Sequence, residues 1–331
     1  GAALTELTIT GSSALTIADH STSNTKLATI NASAFTGDLT LSDAVASLGQ
    51  TITSGAGNDS LVFAANLTNA DTVDGGGNTV LTTGVMGTDS LSATVTGATA
   101  TTGALSIANV ENVNLTNAGT ALINAAGITG ATQIAVTGAA GVTTYSNLAE
   151  AATVALGFTD QSGALVTGTT TLVLADETAT TNAITVNIHD ATSNTLKATS
   201  IETVNLALST TEATISEATT TLTVSALNAS TINVSGADAD PATILALGTL
   251  DTDTATVDAS SYKGVLTMTA GTGTAMTVSA NGVRANTITT STGSDTVTLI
   301  GNLGTTTQVI DALAGTLDTL NANADNAATD L

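Results

Sequence analysis

An all-β fold, an elongated parallel β-solenoid or β-helix with Gly-Asp turns at its corners, is the class this sequence predicts. Three observations predict it. Short segments of alternating apolar and polar residues recur along the chain, as in TLVLAD from Thr171 and TLTVSA from Thr221. Phrases repeat about 230 residues apart, INASAFTGDLTL from Ile30 against VDASSYKGVLTM from Val257, and such self-similarity marks stacked β architectures. No Trp, three Phe and two Tyr among 331 residues leave the core to small and β-branched side chains, which fill narrow, flat layers. A string of Ig-like β-sandwich domains is the alternative. Modules of roughly 80 to 115 residues have the right size for it, although such cores usually bury an aromatic that is scarce here.

In chain order, LTELTIT from Leu4, ALTIAD from Ala14, DLTLSD from Asp38, AITVNI from Ala183, STINVSG from Ser230 and VLTMTA from Val265 read as strands. Each has period two and is bounded by Gly, Asn, Asp or Ser. Two segments read as short helices: SNLAEAATVALG from Ser146, with a Ser cap, and PATILALGTL from Pro241, with Pro at the first helical position. NVENVNL from Asn109 and SIETVNL from Ser200 set Glu111 and Glu202 two positions before a Val-Asn-Leu strand, where Asn114 and Asn205 are placed to form amide ladders between coils. The phrases divide the chain into related modules, 1–84 and 218–331, around a middle region, 85–217.

Four cationic residues stand against 27 carboxylates, a net charge of -23. Nucleic acid is excluded as a partner, because phosphate binding runs on Lys and Arg. With 9% charged residues in total, the surface is carried by Thr, Ser, Asn and Gly, which suits a protein packed against copies of itself. The absence of Cys removes disulfides and cysteine-based zinc sites. No stretch approaches the roughly 18 uninterrupted apolar residues of a membrane helix. The opening GAALTELTIT has no initiator Met and no basic or long apolar leader, and reads as a processed form or a portion of a longer chain.

The strongest chemical signal is Ser54-Gly55-Ala56-Gly57-Asn58-Asp59-Ser60-Leu61-Val62. It matches the calcium-binding nonapeptide G-G-x-G-x-D-x-U-x at every specified position but the first. Gly55 and Gly57 let backbone carbonyls turn inward, Asp59 supplies hard anionic oxygen, and Leu61 anchors the next strand. Ca2+ takes six to eight oxygens, so a neighbouring turn must contribute, and Asp71 and Asp74 lie one strand and one loop downstream. In the second module Gly293 and Asp295 are the counterparts of Gly57 and Asp59, and the stretch from Asp311 to Asp318 takes the place of that from Asp71 to Asn78. The same turns occur without metal, where the Asp bonds backbone N–H groups in an Asx turn. Asp238, Asp240, Asp251 and Asp253 read as solvated loop charges or a shared chelate, and His20 and His189 as turn caps.

Catalysis finds little support. Nothing resembles a nucleophile elbow, and a polysaccharide-cleaving β-helix with paired carboxylates would need aromatic and basic groups that are scarce here. The expectation is that the protein is not an enzyme.

The Thr/Ala/Ser/Gly/Val bias, the absence of Cys and Trp, the DASxFxG-like segments at Asn31 and Asp258, the IETVNL-like segments and GAGNDSL together resemble bacterial surface-layer (S-layer) proteins of the repeats-in-toxin (RTX) type. The resemblance implies calcium in the Gly-Asp loops, type I secretion, an extracellular position at the cell surface, and self-assembly into a two-dimensional lattice on the lipopolysaccharide of the outer membrane. A large RTX adhesin would share loops and composition. The chain departs from the family in having no tandem run of nonapeptides.

Overall fold

The computed structural model describes residues 4–18, 26–42, 49–78, 87–95, 103–117, 119–137, 141–158, 167–189, 193–209, 219–227, 229–236, 244–273, 275–301, 303, 307–313 and 317–323. They form two compact units, Gly1–Ala149 and Glu150–Leu331. The division falls inside the region 85–217.

In the first unit the strands are β1 (Glu6–Gly11), β2 (Leu15–Ile17), β3 (Thr29–Phe35), β4 (Leu39–Ser42), β5 (Thr51–Thr53), β6 (Ser60–Ala64), β7 (Thr72–Asp74), β8 (Ser90–Val95), β9 (Ser106–Ala108), β10 (Asn112–Asn117), β11 (Ala121–Asn124), β12 (Ile128–Thr129), β13 (Gln133–Thr137) and β14 (Gly141–Leu148). β1, β3, β5, β7, β9 and β12 line up as sheet I; β2, β4, β6, β8, β10 and β13 as sheet II; β11 pairs with β14. The second unit contains β15 (Thr153–Phe158), β16 (Thr167–Leu174), β17 (Ala183–His189), β18 (Ser193–Thr199), β19 (Thr203–Ser209), β20 (Thr219–Leu227), β21 (Thr231–Gly236), β22 (Ile244–Thr249), β23 (Thr256–Tyr262), β24 (Val265–Thr269), β25 (Thr277–Asn281), β26 (Thr287–Thr289), β27 (Thr296–Ile300), β28 (Val309–Asp311) and β29 (Thr319–Asn323). Its odd-numbered strands form sheet III and its even-numbered strands sheet IV.

Strands β1 to β10 and those of the second unit alternate between two sheets, with β11 and β14 forming a third sheet in the first unit, and each strand pairs in parallel with its counterpart one coil on, as Leu15 with Leu39 and Thr40 with Ser60. This is a parallel β-solenoid. The tandem Ig-like alternative is overturned, because that fold pairs its strands antiparallel, whereas those described here run parallel. The coil takes from 19 residues, Thr277 to Thr296, to 34, Thr72 to Ser106.

Period-two alternation builds the core. Ile184, Val204, Ile232, Val257, Val278 and Val297 stand in register and all are buried. Like side chains thus repeat along the stacking axis, removing apolar surface from water at every coil. The long-range repeat has a specific local meaning. The register of β3 on β1 shifts between Thr8 and Thr10, and that of β23 on β21 between Asn233 and Ser235. Each bulge inserts a residue and reverses the in-out phase, so Phe35 and Tyr262, at the ends of the two repeated phrases, turn into the core.

Both expected helices are strands. Ser146–Leu148 ends β14, Thr153 begins β15, and Ile244–Thr249 is β22, while Pro241 lies outside the described residues. Leu245 and Leu247 are both fully buried with Ala246 between them, so the segment satisfies the period of two, and pairing with neighbours on both sides outweighs its local helical preference. The helical element among the described residues is a single 3-10 turn, Ala125–Gly127. The amide ladder forms at one of its two expected places: Asn233 Nδ2 donates to Asn205 Oδ1 at 2.8 Å. Asn114 stands between Ser92 and Ala135.

Truncating a core-rank residue should cost far more than changing an outward one. Leu206→Ala, at a side chain 0% exposed, is expected to destabilise by about 2–5 kcal/mol, and Ser92→Ala on the outward side by about 0.5 kcal/mol or less. Urea unfolding followed by circular dichroism measures both.

Candidate functional site

The Gly-Asp turns stand where the chain enters a sheet. Four residues of consecutive coils, Leu39, Asp59, Asp89 and Glu111, are aligned there at the lead positions of sheet II. A lead residue has a backbone N–H pointing along the stacking axis, and a buried N–H without an acceptor costs about 1–3 kcal/mol. The next coil supplies the acceptor from a side chain. Leu39 N donates to Asp59 Oδ1 at 2.8 Å, Asp59 N to Asp89 Oδ1 at 2.7 Å, and Asp89 N to Glu111 Oε2 at 2.7 Å. The backbone carbonyls of Asp59 and Asp89 then accept from Ser90 N and Asn112 N, so side chain and main chain extend one ladder.

The same arrangement recurs at other strand starts. In sheet I, Gln50 N donates to Asp71 Oδ1 at 2.8 Å. In sheet III, Asn182 N donates to Glu202 Oε2, Met276 N to Asp295 Oδ1 and Asp295 N to Asp318 Oδ1. In sheet IV amides do it: Leu266 N donates to Asn286 Oδ1 and Asn286 N to Gln308 Oε1.

Around Asp59 the fit is close. Its second oxygen, Oδ2, accepts from Gly55 N at 3.1 Å, and the residue is 1% exposed. A Cβ on Gly55 would fall against the carbonyl oxygen of Phe35, and one on Gly57 against that of Gly37. These two glycines are required because neighbouring coils approach backbone to backbone. Asn58 N donates to Asp38 Oδ1, and Asn58 Oδ1 accepts from Thr88 N.

The expected calcium ligands therefore have other partners. Asp71 Oδ2 accepts from Thr68 N and Oγ1. Asp74 Oδ1 accepts from Gly76 N and Asn109 Nδ2. Asp295 takes the Ser291 hydroxyl on both oxygens, and Gly293 N donates to that hydroxyl. Asp59 and Asp71 lead strands of different sheets and do not share a partner. Calcium requires six to eight converging oxygens, whereas what converges on these carboxylates is N–H and O–H donors. Among the described residues no group of three or more His, Asp or Glu side chains is placed to hold a metal. In this arrangement the turns are held together by hydrogen bonds to backbone N–H and hydroxyl groups.

The correspondence between modules also shifts. Asp311 ends β28 and its carbonyl accepts from Thr290 N, as that of Asp74, ending β7, accepts from Ser54 N. Asp318 caps Asp295 as Asp89 caps Asp59. Asp311 thus matches Asp74, and Asp318 matches Asp89. His20, Asp19, Asp190, Asp238 and Asp240 lie outside the described residues. Asp251 Oδ1 accepts from Asp253 N in a local turn.

Asp89 was not singled out by the sequence reading, although Gly87-Thr88-Asp89-Ser90-Leu91 repeats the pattern of Gly57-Asn58-Asp59-Ser60-Leu61. It is 0% exposed, and its Oδ2 is buried without a hydrogen-bond partner. Burial above all, then the charges of Asp59, Glu111 and Asp38, push its carboxyl up to about 7 against the lowering effect of the Asp59 N–H. Tyr145 is also enclosed, and burial pushes its hydroxyl up.

Comparison with protein-family models, curated proteins and solved structures finds no match for this chain.

Two outcomes follow from the geometry. Asp59→Ala strands the N–H groups of Leu39 and Gly55 and should destabilise by about 2–5 kcal/mol. The loss should be the same in excess chelator as in calcium at about millimolar level, read as the shift in urea midpoint. For Asp89, the folded carboxyl holds its proton up to about pH 7 while the unfolded one releases it near 3.8. Its contribution is therefore fully present below pH 3.8 and is lost as pH rises through about 7. Urea midpoints taken across that window should fall with rising pH, and Asp89→Asn should flatten the decline.

Proposed function

We propose that this chain is a structural, self-assembling protein of a bacterial cell surface, an S-layer subunit that packs against copies of itself in a two-dimensional lattice. The observation that carries the reading is the character of the outward sheet faces. Thr, Ser and Asn recur there in register from coil to coil, as Thr29, Thr51 and Thr72 do in sheet I and Thr231, Thr256 and Thr277 in sheet III. Such faces are periodic and almost free of charge, in a chain whose net charge is -23. Copies of so acidic a protein repel one another in general, and contact is least opposed where the surface is neutral. The composition adds to this: 9% charged residues is low for a surface whose only neighbour is water.

Lattice packing asks for many modest contacts repeated over rigid, flat elements, each multiplied by its neighbours. A solenoid whose coils stack in register offers them along its length. The lipopolysaccharide of an outer membrane is the surface that the resemblance assigns to such a layer, and calcium dependence, which the resemblance also implies, is a variable of the test.

Electron microscopy of the purified chain, in calcium at about millimolar level and in excess chelator, is the test. Ordered sheets in either condition are the expected result. Separate particles in both, at every concentration, would overturn the reading and leave an adhesin binding some other surface as its replacement.

A further inference from the structure

We propose that the outward face of sheet III is the surface by which one copy of this chain packs against another, face to face about a two-fold axis. The inference rests on the self-assembly reading and names the contact that reading needs. Six successive strands of sheet III place Thr203, Thr231, Thr256, Thr277, Thr296 and Thr319 in one unbroken rank. Beside it runs a second rank: Asn205, Asn233, Asp258, Ser279, Thr298 and Asn321. These side chains are half-buried or exposed, and the residues between them in the first five strands, Val204, Ile232, Val257, Val278 and Val297, belong to the buried apolar rank of the core, whereas Leu320 in the last strand is exposed.

Three properties choose the occupant. The first is period. Identical hydroxyls recur at the inter-strand spacing of about 4.8 Å, and a second copy of this face has the same spacing by construction, so the threonines of one can seat between those of the other over its whole length. Interdigitated ranks of small side chains between two sheets are the packing of a steric zipper, and a face that meets itself makes an isologous contact.

The second is charge. Asp258 is the one ionisable side chain in the two ranks, and its carboxylate is tied back to Ser260 N at 3.0 Å. The chain as a whole carries 27 carboxylates against four cations, so contacts through its charged surfaces bring like charges together. Sheet IV is less regular: its comparable rank, Thr167, Ser193, Thr221, Ala246, Thr267 and Thr287, is broken by Ala246 and ends on Val309, and the rank beside it carries Ile244 and Val265.

The third is area. Six strands of about five residues cover about 500 Å² per partner, hence about 1,000 Å² in total, at the lower limit for a specific interface. One such contact is too small for a permanent dimer and suits a lattice, where contacts act together.

Two pairs of substitutions test the face, with wild-type chain alongside. Thr256→Glu with Thr296→Glu places two carboxylates in the threonine rank of sheet III. Thr267→Glu with Thr287→Glu makes the same charge change on sheet IV, where those residues are also half-buried and outward. Circular dichroism and thermal melting confirm that both variants fold. The expected result is loss of ordered assemblies by electron microscopy and analytical ultracentrifugation for the sheet III pair and their retention for the sheet IV pair. Because the chain contains no Cys, Thr277→Cys and Thr287→Cys add an independent readout: oxidation should link copies through position 277 and not through 287. Assemblies that survive the sheet III pair, or that both pairs dissolve equally, overturn the assigned face and leave the self-assembly reading standing. A wild-type chain that stays monomeric overturns both.

Discussion

The demand of buried backbone N–H groups for acceptors shapes this protein more than any side-chain chemistry does. In a parallel stack the N–H at the head of each strand points along the axis, before the regular ladder has begun. An oxygen must meet it there, and the chain provides one by putting Asp, Glu, Asn or Gln at the head of the next coil. Asp59, Asp89 and Glu111 do this in sheet II, Asp71 in sheet I, Asp295 and Asp318 in sheet III, and Asn286 and Gln308 in sheet IV. Acids and amides serve in the same position, so what is selected is a carbonyl-type acceptor on a short arm. A negative charge strengthens the bond without being necessary to it.

Stacking coils also stacks the caps. Asp59, Asp89 and Glu111 follow one another at the inter-strand spacing of about 4.8 Å, and three neighbouring carboxylates in a partly dry environment repel. The stack relieves this in two ways. Backbone N–H donors are aimed at each member, and burial together with the neighbouring charges pushes the carboxyl of the enclosed Asp89 up to about 7. One ladder therefore both supports the corner and makes its stability depend on pH.

Periodicity has a second consequence on the outside. The register that repeats apolar residues inward repeats Thr, Ser and Asn outward, so a regular core and a regular surface are the same fact seen from two sides. It is this regular, sparsely charged surface on which the proposal of ordered self-contact rests.

The sequence by itself determined the all-β class and, in the regular strands such as Ala183–His189 and Thr231–Gly236, which residues alternate inward, because an alternation of apolar and polar side chains is local information. It also held the caps in plain view: G-x-D-x-L occurs at Gly57 and again at Gly87. What such a turn does was not local. A metal-binding Asp and a capping Asp share the same motif, and they differ in whether oxygens or N–H donors lie across from the carboxylate. That depends on which residue the previous coil places there, Leu39 for Asp59 and Met276 for Asp295, and hence on coil lengths that vary from turn to turn. The same long-range pairing made strands of Thr153–Phe158 and Ile244–Thr249, where local spacing favoured helices. Only the tertiary structure decided the capping partners and these strands, since register between coils arises from the whole stack and no single segment encodes it.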